Sequence, residues 1–291
     1  MASTLLDPRW LVLIALASCA APGRPAGDLV TSSGALVARL VNPTHDLARH
    51  GDTCKPWHQV FAPDGRQITK DLGGQYEHHR GLFLGWNRVR CDGRTFDFWH
   101  CGKGETQRVV QVAGQPGPGA AQVVAVDWCA PDGAVVLHER RTLTVQSLGD
   151  GVQCLRLVTE VRAAAGEVQL DGDAHHAGCQ FRAVKEFGDA AGPKVTYVRP
   201  DSAQGGNDDL WTGCRWIAAV LPFADGPVTV LRIEGASNPP ATWSTRPYGR
   251  FGAMSRATLK AGTAVQLDFV YVVAAGARDA AWCERIVCDQ D

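Results

Sequence analysis

Four of the nine histidines in this chain stand as two adjacent pairs, His78-His79 and His175-His176, and each pair is followed by an arginine, Arg80 or Arg182. Imidazole is the side chain that titrates nearest neutral pH, so two of them at one site can exchange protons as general acid and base. Guanidinium groups beside them would orient a carboxylate or vicinal hydroxyls through their fork of donors. In an extended segment neighbouring side chains point to opposite faces, so one histidine of each pair can face a common site while the other packs or meets solvent. The same alternation means that an adjacent pair does not chelate a metal as a unit. A cation would need imidazoles from both segments plus a carboxylate such as Glu77 or Asp173. On this reading His78, His79, His175 and His176 are catalytic and no cofactor is required, a divalent metal at the pairs being the lesser alternative.

Around the first pair the chain interleaves polar groups with rings, and Asp97-Phe98-Trp99-His100 follows shortly after Trp86. Flat aromatic faces for C–H surfaces and fixed donors for hydroxyls are what a sugar site uses. Phe83 and Phe98 are expected in the core, whereas Trp99 and His100 are expected to bind substrate with Arg80 and Arg182. A second source of contacts is Asn238-Pro239-Pro240 through Trp243, Arg246 and Tyr248. Its prolines predict a rigid loop able to hold Asn238, Trp243, Arg246 and Tyr248 against a ligand.

Residues so far apart in sequence need a fold that gathers distant strands. From Leu29 onward, alternating β-branched runs are interrupted every 8–12 residues by turn signals such as Pro63-Asp64-Gly65 and Pro131-Asp132-Gly133. The runs Gln122–Cys129 and Ala134–Val145 predict a long hairpin about the second of these. More than a dozen such segments cannot stay in one open sheet, so the expected fold is all-β, a large antiparallel two-sheet supersandwich. One helix is expected, over Ala277 to Cys288. Residues 28–291 then form a single β-sandwich domain whose concave face collects the histidine, arginine and aromatic segments. With 29 Lys+Arg against 30 Asp+Glu the chain has no basic field for phosphates, which excludes nucleic acid as a partner.

The apolar run Trp10 to Ala21 is shorter than the ~20 residues that span a bilayer and reads as the hydrophobic region of an export signal over residues 1–20, with 21–27 a tether. Leu16-Ala17-Ser18-Cys19 has the form of a lipobox, which makes a lipid anchor at Cys19 the one expected membrane contact, and Ser18-Cys19-Ala20 equally suits ordinary cleavage. Either route puts the protein in the periplasm or on the outer surface. Among ten cysteines no Cys-x-x-Cys occurs, so zinc ribbons and thioredoxin-like motifs are excluded. Most cysteines are expected as core filler, with Cys91–Cys101 and Cys283–Cys288 as the pairs best placed for disulfides.

Several segments taken together carry a resemblance: Lys55-Pro56-Trp57-His58, Glu77-His78-His79-Arg80-Gly81-Leu82, Asp97-Phe98-Trp99-His100, Gly172-Asp173-Ala174-His175-His176-Ala177-Gly178, and Asn238-Pro239 with Trp243, Arg246 and Tyr248-Gly249. They resemble the PmoA-like proteins, exported bacterial proteins of unknown function often labelled "methane oxygenase PmoA". Many members carry Asp-His before His-His-Arg, where this chain has Gln75-Tyr76. The resemblance implies a galactose mutarotase-like supersandwich. By analogy with mutarotase sites, His175 or His176 would be the acid that protonates a ring oxygen, and the carboxylate base is missing because Glu234 lies inside a strand-like run. The expected function is therefore an exported carbohydrate-active enzyme using histidine acid/base chemistry, its type left among isomerase (epimerase), lyase and hydrolase. The alternative is a non-catalytic glycan-binding β-sandwich using Trp99, Trp243 and Arg246. A genuine methane oxygenase subunit is not expected, since no membrane-spanning segment follows residue 21.

Overall fold

The computed structural model describes residues 27–31, 33–115, 121–189, 191–206 and 209–289. The expected export signal, Cys19 and nearly all of the tether lie outside these residues. No helix among them is long and apolar enough to cross a membrane, a statement that does not bear on β-barrels.

The expected all-β architecture is present, in three antiparallel sheets rather than two. The first has nine strands in the order Asp28–Val30, Leu36–Val41, Trp57–Val60, Leu82–Trp86, Ala177–Arg182, Arg250–Met254, Thr242–Thr245, Leu210–Thr212 and Gln204–Gly205. The second has eight, in the order Thr196–Val198, Trp216–Leu221, Val228–Glu234, Ala264–Ala275, Val152–Ala163, Val135–Gly149, Ala121–Cys129 and Thr106–Gln115. A four-stranded sheet, Ala257–Leu259, Val168–Asp171, Arg88–Cys91 and Arg94–Phe96, was not foreseen because its strands are short and three of them carry exposed arginine or threonine.

Alternation builds the sandwich. In Ala121–Cys129 the buried positions Gln122, Val124, Val126 and Trp128 share one face, and one continuous apolar cluster joins such residues to Leu82, Trp86, Phe181 and Phe251 of the first sheet. The expected hairpin pairs Ala121–Cys129 with Val135–Gly149. Next, Val135–Gly149 and Val152–Ala163 meet through Asp150 and Gly151, both at positive φ (47° and 71°). That is the mirror-image turn whose twist matches paired strands, and Asp-Gly is the pair that adopts it most readily. The C-terminal helix is shorter than expected, Ala280–Cys288, because Asp279 caps it by accepting from the backbone N–H of Trp282 at 2.8 Å. Its Cys283 and Val287 pack on Trp216, Leu231, Ile233 and Val272 of the eight-stranded sheet.

Between the two large sheets lies a buried polar layer. Glu139 accepts from Arg141 Nε at 2.8 Å, Trp128 Nε1 at 3.0 Å and Thr159 Oγ1 at 2.9 Å. His58 Nε2 donates to Gln122 Oε1 at 2.9 Å, and its Nδ1 faces Arg141 Nη1 at 3.5 Å. Burial, followed by the Arg141 charge, pushes His58 down to about 3.

Neither expected disulfide is present. All nine described cysteines are free thiols. Cys101 meets Cys54 rather than Cys91, and the thiol hydrogen bond from Cys101, with Lys55 and Arg80 nearby, draws Cys54 down to about 6. Burial and that partner push Cys101 the other way.

Candidate functional site

Three separate turns bring imidazoles to one place beside two adjacent inner strands of the first sheet, Leu82–Trp86 and Ala177–Arg182. The loop carrying His78 and His79 precedes Leu82–Trp86 and is strapped at its base, where Lys70 N donates to Arg182 O, Gly81 N to Lys70 O and Arg182 N to Gly81 O, all within 2.9 Å. Gly81 sits at φ +46°, and a Cβ there would lie 2.2 Å from the carbonyl oxygen of His58, so only glycine lets the loop press on the neighbouring strand. Lys70, pushed down to about 8 by burial and then by the charges of Arg182 and Arg80, donates from Nζ to the carbonyl of His79 at 3.0 Å.

The other two turns share one device, Asp-x-x-His. Asp97 Oδ1 accepts from the backbone N–H groups of Trp99 (3.0 Å) and His100 (2.8 Å), while Oδ2 accepts from His100 Nδ1 at 2.7 Å. Asp173 Oδ1 accepts from the backbone N–H of His175 at 2.8 Å and from His176 Nδ1 at 2.7 Å, and its Oδ2 accepts from Asn87 Nδ2 at 2.8 Å. A carboxylate only accepts, so it fixes the hydrogen on Nδ1 of each ring and leaves Nε2 as a bare lone pair. Burial would raise Asp173, but His176, the His175 N–H and Asn87 outweigh it and hold the carboxyl at about 2.

The rings converge closely. His78 lies 4.3 Å from His79, 4.4 Å from His100 and 6.4 Å from His176, and His100 lies 5.0 Å from His176, all between ring centroids. One ring nitrogen from each of His78, His100 and His176 lies within 4.8 Å of those of the other two. Burial first, then His100, Lys55, His176 and Lys70, pushes His78 down to about 3. Burial and His78 hold His79 well below its ordinary value, and burial lowers His176 against the opposing pull of Asp173. Burial thus disfavours the charged form of all three imidazoles, a condition that suits a base or a ligand. Neither nitrogen of His79, nor Nε2 of His78, has a hydrogen-bond partner among the described residues, although all three atoms are buried.

Two non-glycine residues beside the cluster, Tyr76 and Cys101, hold φ of 56° and 58°. The other three with positive φ are aspartates, which tolerate that region. Tyr76 is 42% exposed and packs at 4.9 Å against Tyr248, which lies 6.4 Å from His79, so the two phenols form the rim.

Of the residues expected to bind substrate, His100 and Tyr248 are at the cluster; His175, expected to be catalytic, is beside it, its ring 6.2 Å from that of His176. His175 Nδ1 meets Ser244 Oγ at 3.1 Å and the guanidinium of Arg246 at 3.0 Å, so Arg246 approaches the histidines through His175. The remaining five are corrected. Arg80 is buried over Trp57 and donates to the backbone carbonyls of Asp52, Gly51 and Glu77. Arg182 is likewise buried, donates to the carbonyls of Ala183 and Tyr248 and lies under the Tyr248 ring. Both arginines hold loops in place. Trp99 is 0% exposed and touches His79 and His176 edgewise, as the floor of the cluster and not a platform open to a ligand. Trp243 is 1% exposed in the strand Thr242–Thr245, where a loop was expected, and donates to Cys214 O. Asn238 donates from its amide to Glu234 and to the backbone carbonyl of Asp268, and accepts from the Asp268 N–H at 2.8 Å. The sequence pointed to Asp173 only as a carboxylate that could ligate a cation; the orienting role it shares with Asp97 was missed, and its signal was the repeated Asp-x-x-His spacing. A cavity of about 510 Å³ opens on the four-stranded sheet, lined by Arg90, Asp171 and Arg256 among others, and contains no histidine.

A family model matches residues 29–287, and the chain belongs to that family, DUF6807, described as a family of unknown function. The description names no activity and carries no methane label. No curated protein matches the sequence. Among solved structures the chain is similar to a candidate kojibiose phosphorylase from human microbiome, at 8% identity and a TM-score of 0.34. The match covers 89% of this chain and 30% of that one, so the chain spans under a third of that protein's length.

Proposed function

We propose that this member of DUF6807 is an enzyme acting on a hydroxyl-rich small molecule of the carbohydrate class, with the cluster of His78, His79, His100 and His176 as its reacting centre. One observation carries the reading: imidazoles from three turns meet within 4.3–6.4 Å, and two of them are oriented by carboxylates through Nδ1. An imidazole fixed in this way presents Nε2 toward a ligand without reorganising when the ligand arrives. The chemistry available is proton removal from, or polarisation at, a sugar hydroxyl or a water. Tyr76 and Tyr248 at the rim supply aromatic faces and phenolic donors, and Arg246 reaches the same place beside His175. An exported location is part of the same proposal.

The glycan-binding alternative keeps Arg246 but not its two ring platforms, since Trp99 and Trp243 are buried. A panel of mono- and oligosaccharides, followed by proton NMR for binding and for product, tests the choice. The expected result is that wild type binds and converts at least one sugar, while His176→Ala and His79→Ala retain binding and lose turnover. Binding without conversion by wild type, unaltered in both variants, would mark a binding module instead.

A further inference from the structure

We propose that His78, His100 and His176 form a binding site for one divalent transition-metal cation of the zinc class, with Asp97 and Asp173 as the carboxylates that orient its ligands. The inference goes beyond the reading of the site as carbohydrate-active and does not depend on the identity of the substrate. Three features of the cluster lead to it.

The first is crowding without mutual bonding. Three imidazole nitrogens lie within 4.8 Å of one another, yet among the described residues no hydrogen bond joins the three rings and the buried His78 Nε2 has no partner. A buried polar nitrogen normally finds a partner, so the unpartnered His78 Nε2, with a ring nitrogen of each of two half-buried imidazoles so close, points to a partner shared by the three rings. Of the species that could serve, a cation accepts lone pairs from all three at once, whereas an anion would meet three lone pairs. The second feature is distance. A cation bound to nitrogen at about 2.1 Å in tetrahedral geometry holds its ligand atoms about 3.4 Å apart, so the rings need to close by no more than about 1.5 Å.

The third feature is the surrounding shell. Histidines that ligate metals donate their other ring nitrogen to a carboxylate or carbonyl, which sets the tautomer and strengthens the ligand. Both Asp97–His100 and Asp173–His176 have that arrangement at 2.7 Å, through Nδ1 in each case. His138 with Asp127 shows what the device looks like elsewhere: a similar contact of 2.8 Å, made by a partly exposed side chain on the outer face of the eight-stranded sheet, with no ring contact to another imidazole among the described residues. Thiolates are not among the three ligands, which favours a borderline cation held by imidazole over copper(I) or an iron–sulfur cluster. Three protein ligands leave at least one position open, the coordination of catalytic and not structural zinc.

The test uses the full chain, stripped with a chelator and titrated with Zn²⁺ by calorimetry and with Co²⁺ by absorption. The expected result is one ion per chain and visible cobalt bands without the near-ultraviolet thiolate band. His100→Ala and His176→Ala should each weaken Zn²⁺ binding by at least about 100-fold, and Asp97→Asn and Asp173→Asn by about 10–100-fold. His138→Ala should bind as wild type does. Circular dichroism and melting confirm that each variant is folded, and the asparagine variants, which keep shape, serve if an alanine variant is not. No bound ion, affinity unchanged in the histidine variants, or a thiolate band that moves the ion to Cys54 and Cys101 would each overturn the proposal. Sugar turnover by wild-type protein that binds neither Zn²⁺ nor Co²⁺ would overturn it and leave the carbohydrate reading intact. A tightly bound ion with no sugar bound or converted would do the reverse.

Discussion

A buried network around His58 and a half-buried cluster of imidazoles around His78 differ in whether their atoms are satisfied. In the layer between the large sheets, His58, Gln122, Arg141 and Glu139 partner one another and Trp128 and Thr159, and none of their side-chain atoms is left over. Beside the inner strands Leu82–Trp86 and Ala177–Arg182 of the first sheet, His100 and His176 each have one nitrogen anchored by a carboxylate, His78 and His79 have buried nitrogens without a partner among the described residues, and one nitrogen each of His78, His100 and His176 lies within 4.8 Å of the other two. A closed network contributes to holding the sheets in register, since removing any member strands the rest in low dielectric. An open cluster contributes little to folding and is arranged for something that is added to it. The contrast separates structure from function more cleanly than residue type does, because histidine is present in both.

The largest effect should follow from opening the closed network. Glu139→Ala leaves the Arg141 guanidinium buried without its carboxylate and should cost about 3–5 kcal/mol by urea denaturation, without changing which ligand the cluster binds. Acid should weaken the same region. His58 titrates at about 3 in the fold, against 6.5 ordinarily, so below pH 6.5 the unfolded chain takes up a proton that the folded one refuses. Stability from this group is complete above pH 6.5 and is lost as pH falls toward 3, by about 2 kcal/mol at pH 5. Arg141, facing Nδ1, and Glu139 behind it are the charges that bear on this ring. In His58→Gln, which keeps a donor for Gln122, the pH slope of denaturation should be shallower than in wild type over pH 7.5 to 5.

Gly81 links the two regions, since its backbone separates the histidine loop from the His58 carbonyl. Gly81→Ala should cost more than about 1 kcal/mol in thermal melting and should also lower ligand or metal affinity at the cluster. A loss of stability alone would mean that the loop's position does not matter to the site. The smallest expected effect on folding is that of His176→Ala, under about 1 kcal/mol, because the half-buried pair it breaks with Asp173 is partly solvated. A cost comparable with that of Glu139→Ala would erase the distinction between the regions.

The sequence made the strands legible where alternation and turn chemistry agree, as in Ala121–Cys129 and its hairpin. It did so less well for Thr242–Thr245, where prolines before and after Trp243 suggested a loop although the intervening residues pair in the middle of a sheet. The histidine pairs were visible as chemistry, and the structure brings His78, His100 and His176 together. Arg80 and Arg182 were misread for a physical reason: a guanidinium beside a reactive group in sequence can as easily turn inward and donate to backbone carbonyls as face a ligand. Only the fold decides which carbonyls are in reach. Tryptophan is ambiguous in the same way, since a large apolar face suits a core as well as a sugar.

The most direct measurement is imidazole ¹⁵N NMR of the histidine-labelled protein, recorded alone and with the carbohydrate panel. Before addition, His100 and His176 should both show the Nδ1–H tautomer set by Asp97 and Asp173. On addition of a binding sugar, the ring signals of His78, His79, His100 and His176 should move while those of His58 and His138 stay in place. Shifts confined to His58 or His138, or a bound sugar that leaves the four rings of the cluster unchanged, would contradict the assignment of function to the open cluster.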